Sequence, residues 1–178
     1  MKPGLREFLG RLEEAGELKR VKKAVDPRHL SGLMAQAREA TFFEQIAGYP
    51  EWRVTGALVS TRRRLALALG CAEKEIAPRF EEGIRRPIAA TVVQKAPCQE
   101  VVWEGADADL TRIPFPLMHV KDGGPYLSAT LVVSKDPEYG RNVGSYRMMY
   151  RTPQETGIDL VSPSDMRVYY QRALDQGR

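Results

Sequence analysis

The run Asn142-Val143-Gly144-Ser145-Tyr146-Arg147 carries a carboxamide, which both donates and accepts, and a guanidinium, which only donates and stays charged. On a strand leading away from a tight turn, such groups are better placed to bind a ligand than to fill a core. The alternative from composition alone is a surface hairpin with a solvated arginine. A second cluster, Ser162-Pro163-Ser164-Asp165, precedes a predicted helix from Met166 to Leu174. Asp165 falls at the first turn of that helix, where the helix dipole favours a carboxylate and where serines cap. Helix starts also collect phosphates. The two histidines, His29 and His119, are isolated, which leaves little material for a zinc hydrolase site or a Ser-His-Asp triad. His119 reads as a loop residue, with a pocket-lining role as the alternative. Gly123-Gly124 is not a dinucleotide fingerprint, because no GxGxxG follows a strand. Thr61-Arg62-Arg63-Arg64 is the strongest positive cluster, but it lacks the interleaved aromatics of a nucleic-acid surface. Those arginines read as helix-end caps or subunit contacts.

These residues must be held by local elements. Tyr126 to Ser134 is β-like, Asp136-Pro137-Glu138-Tyr139-Gly140 reads as a hairpin turn, and Met148 to Tyr150 continues an extended pattern. Upstream, Leu5, Phe8, Leu9 and Leu12 form one face of an amphipathic helix that Gly16 can end. Leu18 to Val25 alternates as a strand before the Asp26-Pro27 turn, its basic face a solvated edge. The spacing predicts further helices over His29 to Ala40, from the Thr61 start to Gly70, and over Glu73 to Arg85. Further strands are predicted over Trp52 to Val59, through Val92 and Val93, and over Gln99 to Trp103. There are no internal repeats. Pro114, Pro116 and the paired glycines follow Asp109, and the pattern there changes from mixed helices and strands to hairpins. Residues 1–109 are therefore expected to form an α/β domain and residues 110–178 a separate β-rich one.

At 178 residues, 43% hydrophobic and 28% charged, the chain has the composition of a globular protein rather than a disordered one. A net charge of +4 is a mild excess spread along the sequence; it suits a phosphate-bearing ligand and does not require nucleic acid. Cys71 and Cys98 have no metal-finger spacing and read as two reduced, buried thiols, with a disulfide as the alternative. No apolar run approaches the ~20 residues of a membrane span, and charged residues stand where a signal peptide would be apolar. A cytoplasmic protein without membrane or nucleic-acid partners is expected.

The block DGGPYLSATLVVSKDPEYGRNVGSYRMM, Asp122 to Met149, resembles the cofactor-binding core of the UbiD family of reversible (de)carboxylases, which use prenylated FMN. Leu5 to Pro27, Phe42 to Tyr49, Ser60 to Gly70 and Leu110 to Pro116 resemble successive family segments in the same order. The resemblance implies an α+β fold: an N-terminal α/β domain, then the first part of a split β-barrel of the flavin-reductase type. It implies non-oxidative decarboxylation of an aromatic or α,β-unsaturated carboxylic acid through a prenylated-FMN adduct. Arg147 would be the catalytic residue facing substrate carboxylate and isoalloxazine. Asn142, Val143, Gly144, Ser145, Tyr146, Ser164 and Asp165 would complete the cofactor site, with Asn142 and Asp165 as ligands to manganese or magnesium, and potassium as a possible companion. Many relatives place a histidine at the position of Asp165. An aspartate is a competent hard donor, so ligand and helix cap both stay open.

The family's catalytic carboxylates and third metal ligand fall beyond Arg178, so the chain alone is expected to be inactive. Another polypeptide supplying the rest of the barrel, or self-association, is expected to cover its unpaired strand edges. A non-catalytic flavin- or phosphate-binding or assembly subunit of a larger carboxylase complex is the alternative function.

Overall fold

The structure is a computed structural model and describes residues 4–161 and 163–178. Ser162, read above as preceding the last helix, lies outside the described residues. The chain divides into two compact units, one ending at Glu104 and one spanning Gly105–Arg178. Both are mixtures of helices and small sheets.

The first unit is built from α1 (Leu5–Glu14), β1 (Leu18–Val21), α2 (Leu30–Gln36), β2 (Ala40–Phe43), β3 (Val54–Gly56), α3 (Arg62–Leu69) and α4 (Ile76–Arg85). Its sheet runs β1-β2-β3, with β1 parallel and β3 antiparallel to the central β2. Burial explains why β2 was not anticipated. Ala40, Thr41 and Phe43 are all buried, so the segment has no polar-apolar alternation to read. Phe43 joins Val25, Leu30 and Ile46 in the core, with Val21, Met34, Tyr49, Trp52 and Val54 packed around it.

Pairing shortens several predicted elements. The helix expected over His29 to Ala40 ends at Gln36, because Ala37 is extended and Ala40 must pair with Leu18. β1 keeps only four residues, the length that pairs with β2. The Trp52 to Val59 strand contracts to Val54–Gly56, where Ala57 turns the chain at a φ of 57°. The strands expected at Val92-Val93 and over Gln99 to Trp103 do not form. Val92, Val93, Val101 and Val102 are exposed, and neither sheet pairs with them. Apolar alternation does not make a strand where no neighbour takes its backbone groups. The thiol expectation also changes: Cys71 is half-buried, Cys98 is exposed, and both are free.

The second unit carries an antiparallel meander of β4 (Tyr126–Asp136), β5 (Gly140–Thr152) and β6 (Glu155–Ile158), followed by α5 (Asp165–Asp175). The expected hairpin is present. Asp136 pairs with Gly140, which takes a φ of +82° that a side chain would resist. The register runs through Ser134 opposite Asn142, Val133 opposite Val143 and Thr130 opposite Tyr146, with an irregularity between Leu127 and Thr130. Among the described residues, no helix is long and apolar enough to cross a membrane.

Candidate functional site

Strand alternation decides what β5 can present. Asn142, Gly144 and Tyr146 are half-buried, while Val143, Ser145 and Arg147 are exposed. Asn142 and Arg147 are an odd number of residues apart, so they lie on opposite faces of the strand. On the half-buried face, Asn142 stands opposite Ser134, whose buried hydroxyl oxygen has no hydrogen-bond partner. Gly144 is on the same face, and a Cβ there would run into the Tyr146 ring, meeting its Cζ and hydroxyl at 3.0 Å. The missing side chain is what lets that ring lie back over the strand. The Thr130 hydroxyl donates to the carbonyl of Tyr146 and ties β4 to β5 at this point.

Arg147 lies on the exposed face. Its Cζ sits 5.9 Å from the centroid of the Tyr126 ring, and its Nη2 is 3.9 Å from Oδ2 of Asp159. Sequence reasoning did not single out Asp159. It follows β6 directly, and the pairing of Met148 with Ile158 sets it opposite Arg147, a relation that only the register discloses. Gly144, Ser145, Tyr146, Arg147, Asp159 and Ser164 line a cavity of about 340 Å3. Asn142, Val143 and Asp165 are not among its lining residues.

Ser164 caps α5, its hydroxyl accepting from the Arg167 amide at 3.3 Å. Asp165 is exposed in the first turn of α5. Burial first, and then the carboxylates of Asp165 and Asp136, push the Tyr169 phenol above its ordinary value. Among the described residues, no cluster of three or more His, Cys, Asp or Glu side chains is poised for a metal. His119 sits in a loop, where its amide donates to Asp122 at 2.9 Å.

The hairpin tip is held by Asp136, which is buried and accepts from the amides of Glu138 and Tyr139 at 2.8 and 3.0 Å. Arg172 on α5 reaches it at 3.2 Å and stacks over Tyr139 at 4.5 Å. The Tyr139 amide first, then the Glu138 amide and the Arg172 guanidinium, hold this carboxyl below the usual carboxylate range against the opposing effect of burial. Because its native value is lowered, its stabilisation is complete above the ordinary value near ~4 and is lost as pH falls through the native value. Amide exchange at Glu138 and Tyr139, corrected for intrinsic rate, should therefore lose protection on acidification below pH ~4. In Asp136→Asn that acid-dependent step should be absent.

The meander thus puts an arginine of its middle strand beside a cavity that Asp159 and the helix-capping Ser164 also line. The profile of the 3-octaprenyl-4-hydroxybenzoate carboxy-lyase N-terminal domain matches residues 9–84, and that of the same enzyme's Rift-related domain matches residues 90–178. The chain belongs to the UbiD family. Phenolic acid decarboxylase of Sedimentibacter hydroxybenzoicus is 34% identical over 95% of this chain and 39% of its own length. The UbiD-class enzyme HmfF from Pelotomaculum thermopropionicum, solved in complex with FMN, is 31% identical with a TM-score of 0.90. That match covers 98% of this chain and 40% of HmfF. The closed form of S. hydroxybenzoicus vanillic acid decarboxylase is 33% identical with a TM-score of 0.85, again over 98% of this chain and 40% of the other. The chain thus spans about 40% of the length of these relatives.

Proposed function

We propose that this chain is the N-terminal part, or a subunit, of a UbiD-type decarboxylase. Its reaction is the reversible, non-oxidative decarboxylation of an aromatic or α,β-unsaturated carboxylic acid with prenylated FMN. The observation that carries the reading is Arg147 at a cavity lined by Gly144, Ser145, Tyr146 and Ser164, in a chain similar to an enzyme solved with FMN. The residues suit a flavin. Gly144 lets the Tyr146 ring lie over the strand, Ser145 and Tyr146 offer polar groups, and the start of α5 at Ser164 suits a phosphate. The unpartnered Ser134 hydroxyl beside Asn142 marks a second polar position awaiting a partner. The cofactor, when bound, supplies the electron sink. Arg147 holds and orients the substrate carboxylate through its two-pronged fork.

Asn142 and Asp165 are proposed as oxygen donors to manganese or magnesium, with potassium as a possible companion. Their placement on β5 and at the start of α5 leaves the rest of the ligand set to groups beyond these two. Residues 1–109 serve as the N-terminal domain and 110–178 as the first part of a split barrel of the flavin-reductase type. A cytoplasmic location is part of the proposal. A further polypeptide segment or subunit completes the barrel, and this chain by itself is inactive. The shared 40% of relatives' length supports that division.

The test is made on the assembled protein, purified anaerobically from its own cells. Flavin should be retained and CO2 released from aromatic acids. Asn142→Ala should lower both metal content and turnover, by about 10- to 100-fold. Unchanged decarboxylation in that variant overturns the assignment of Asn142. Retained flavin without CO2 release from any acid would instead favour the non-catalytic flavin-binding or assembly subunit.

A further inference from the structure

Asp159 is exposed, with 52% of its side chain in solvent, yet it is held at a fixed place beside Arg147. Its Oδ1 accepts the Val161 amide at 3.0 Å, so the group is pinned to its own backbone. Its other oxygen, Oδ2, is the one 3.9 Å from Arg147. The following segment is fixed in turn by Arg167, whose Nη1 donates to the carbonyls of Leu160 and Val161 at 2.8 and 3.2 Å. The carboxylate is therefore anchored, whereas Arg147 is a long side chain, 67% exposed, with one long ion-pair contact and the Tyr126 ring beside it. An exposed pair at that distance holds a guanidinium weakly. It does not lock Arg147 in place. What it supplies is a fixed negative charge on the wall of the cavity that Arg147 also lines.

We propose that Asp159 is a specificity-setting residue: an anchored counter-charge that lowers the affinity of Arg147 for a carboxylate entering this cavity. The inference rests on the reading of Arg147 as the residue that faces the substrate acid. A carboxylate that approaches the guanidinium also approaches Asp159 and is repelled by it. A neutral molecule of the same shape is not. Decarboxylation removes the carboxylate as neutral CO2, so the repulsion acts on the acid and is absent from the decarboxylated product. Asp159 thereby favours release of the acid over tight ground-state binding.

The experiment measures calorimetric binding of benzoate and of its neutral counterpart benzamide to the assembled, flavin-loaded protein, comparing wild type, Asp159→Asn and Arg147→Ala. Asparagine keeps a side-chain oxygen for the Val161 amide, so the turn is preserved and only the charge is lost. Asp159→Asn should tighten benzoate by about two- to fivefold, an effect that shrinks with added salt, and leave benzamide unchanged. Arg147→Ala should abolish the preference for benzoate over benzamide. If Asp159→Asn binds benzoate equally or more weakly while Arg147→Ala loses it, the Asp159 inference fails and the reading of Arg147 stands. If Arg147→Ala binds benzoate as wild type does, or if no protein binds it, the reading of Arg147 fails and the inference falls with it.

Discussion

Arg147→Ala is expected to lower decarboxylation by the assembled protein about a hundredfold, the loss typical of removing one hydrogen-bond donor from a reacting anion. The position supports that size of effect. Arg147 lines the cavity, faces away from the half-buried side of β5, and among the described residues has one long ion pair, with Asp159. Its contacts with the Tyr126 ring and Asp159 are long and exposed, so the variant should keep its melting temperature and its β-sheet signal while it loses turnover. Arg147→Lys separates charge from geometry. A lysine restores the positive charge but not the planar fork, so it should recover only part of the activity. The measurement is initial CO2 release at saturating acid, beside a thermal melt of each variant. Turnover within twofold of wild type in Arg147→Ala would remove this residue from the proposed chemistry.

The hairpin that presents Arg147 was legible in the sequence because its signals are local. A β-like run, an Asp-Pro-Glu-Tyr-Gly turn and a second extended run fix two strands and their connection without reference to the rest of the chain. Asp159 was not legible. Its relation to Arg147 depends on the pairing of β5 with β6, and β6 is a four-residue strand of Glu, Thr, Gly and Ile with no apolar alternation. The same logic hid β2, where burial of nearly every residue erased the period on which the reading depends. The opposite error, strands expected at Val92-Val93 and over Gln99 to Trp103, came from trusting an apolar pattern where pairing was undetermined. Alternation also constrains the site. Asn142 and Arg147 are close in sequence and attractive as a pair, yet an odd spacing on one continuous strand places them on opposite faces. A ligand served by both must reach around the strand, or the two must serve different parts of it. In the proposed function, Asn142 would serve the metal and phosphate and Arg147 the reacting end.

The arginine run at residues 62–64 leads to the second large effect, on stability rather than chemistry. Thr61 caps α3 by accepting from the Arg64 amide at 3.2 Å, and Gly70 ends the helix in the left-handed conformation at a φ of 65°. Between those ends the three arginines have different fates. Arg62 donates to the Glu73 carbonyl at 3.0 Å and Arg63 pairs with Glu17 at 3.0 Å, both at the surface. Arg64 is turned inward and is only 2% exposed. Its guanidinium donates to Glu17 at 3.2 Å, to the Arg38 carbonyl at 2.9 Å and to the Ser60 hydroxyl at 2.6 Å. One side chain thus joins the exit of α1, the approach to β2 and the start of α3. It is a structural strut, rather than the helix cap or subunit contact that the sequence suggested. Arg64→Ala should destabilise the first unit by about 2–4 kcal/mol, because a nearly fully buried side chain is lost, the Arg38 carbonyl loses the Arg64 donor and the half-buried Glu17 is left with Arg63 alone. Exposed Arg62→Ala should cost at most about 1 kcal/mol, a built-in comparison on the same helix. Hydrogen exchange of the α3 and β2 amides in the assembled protein reads the difference. The double variant Arg64→Met with Glu17→Leu tests the cause. If the loss comes from the weakened pairing of Glu17, removing Glu17 as well should recover part of it. A double variant no more stable than Arg64→Met alone would show that Arg64 acts through packing and its hydrogen bonds to Arg38 and Ser60 instead.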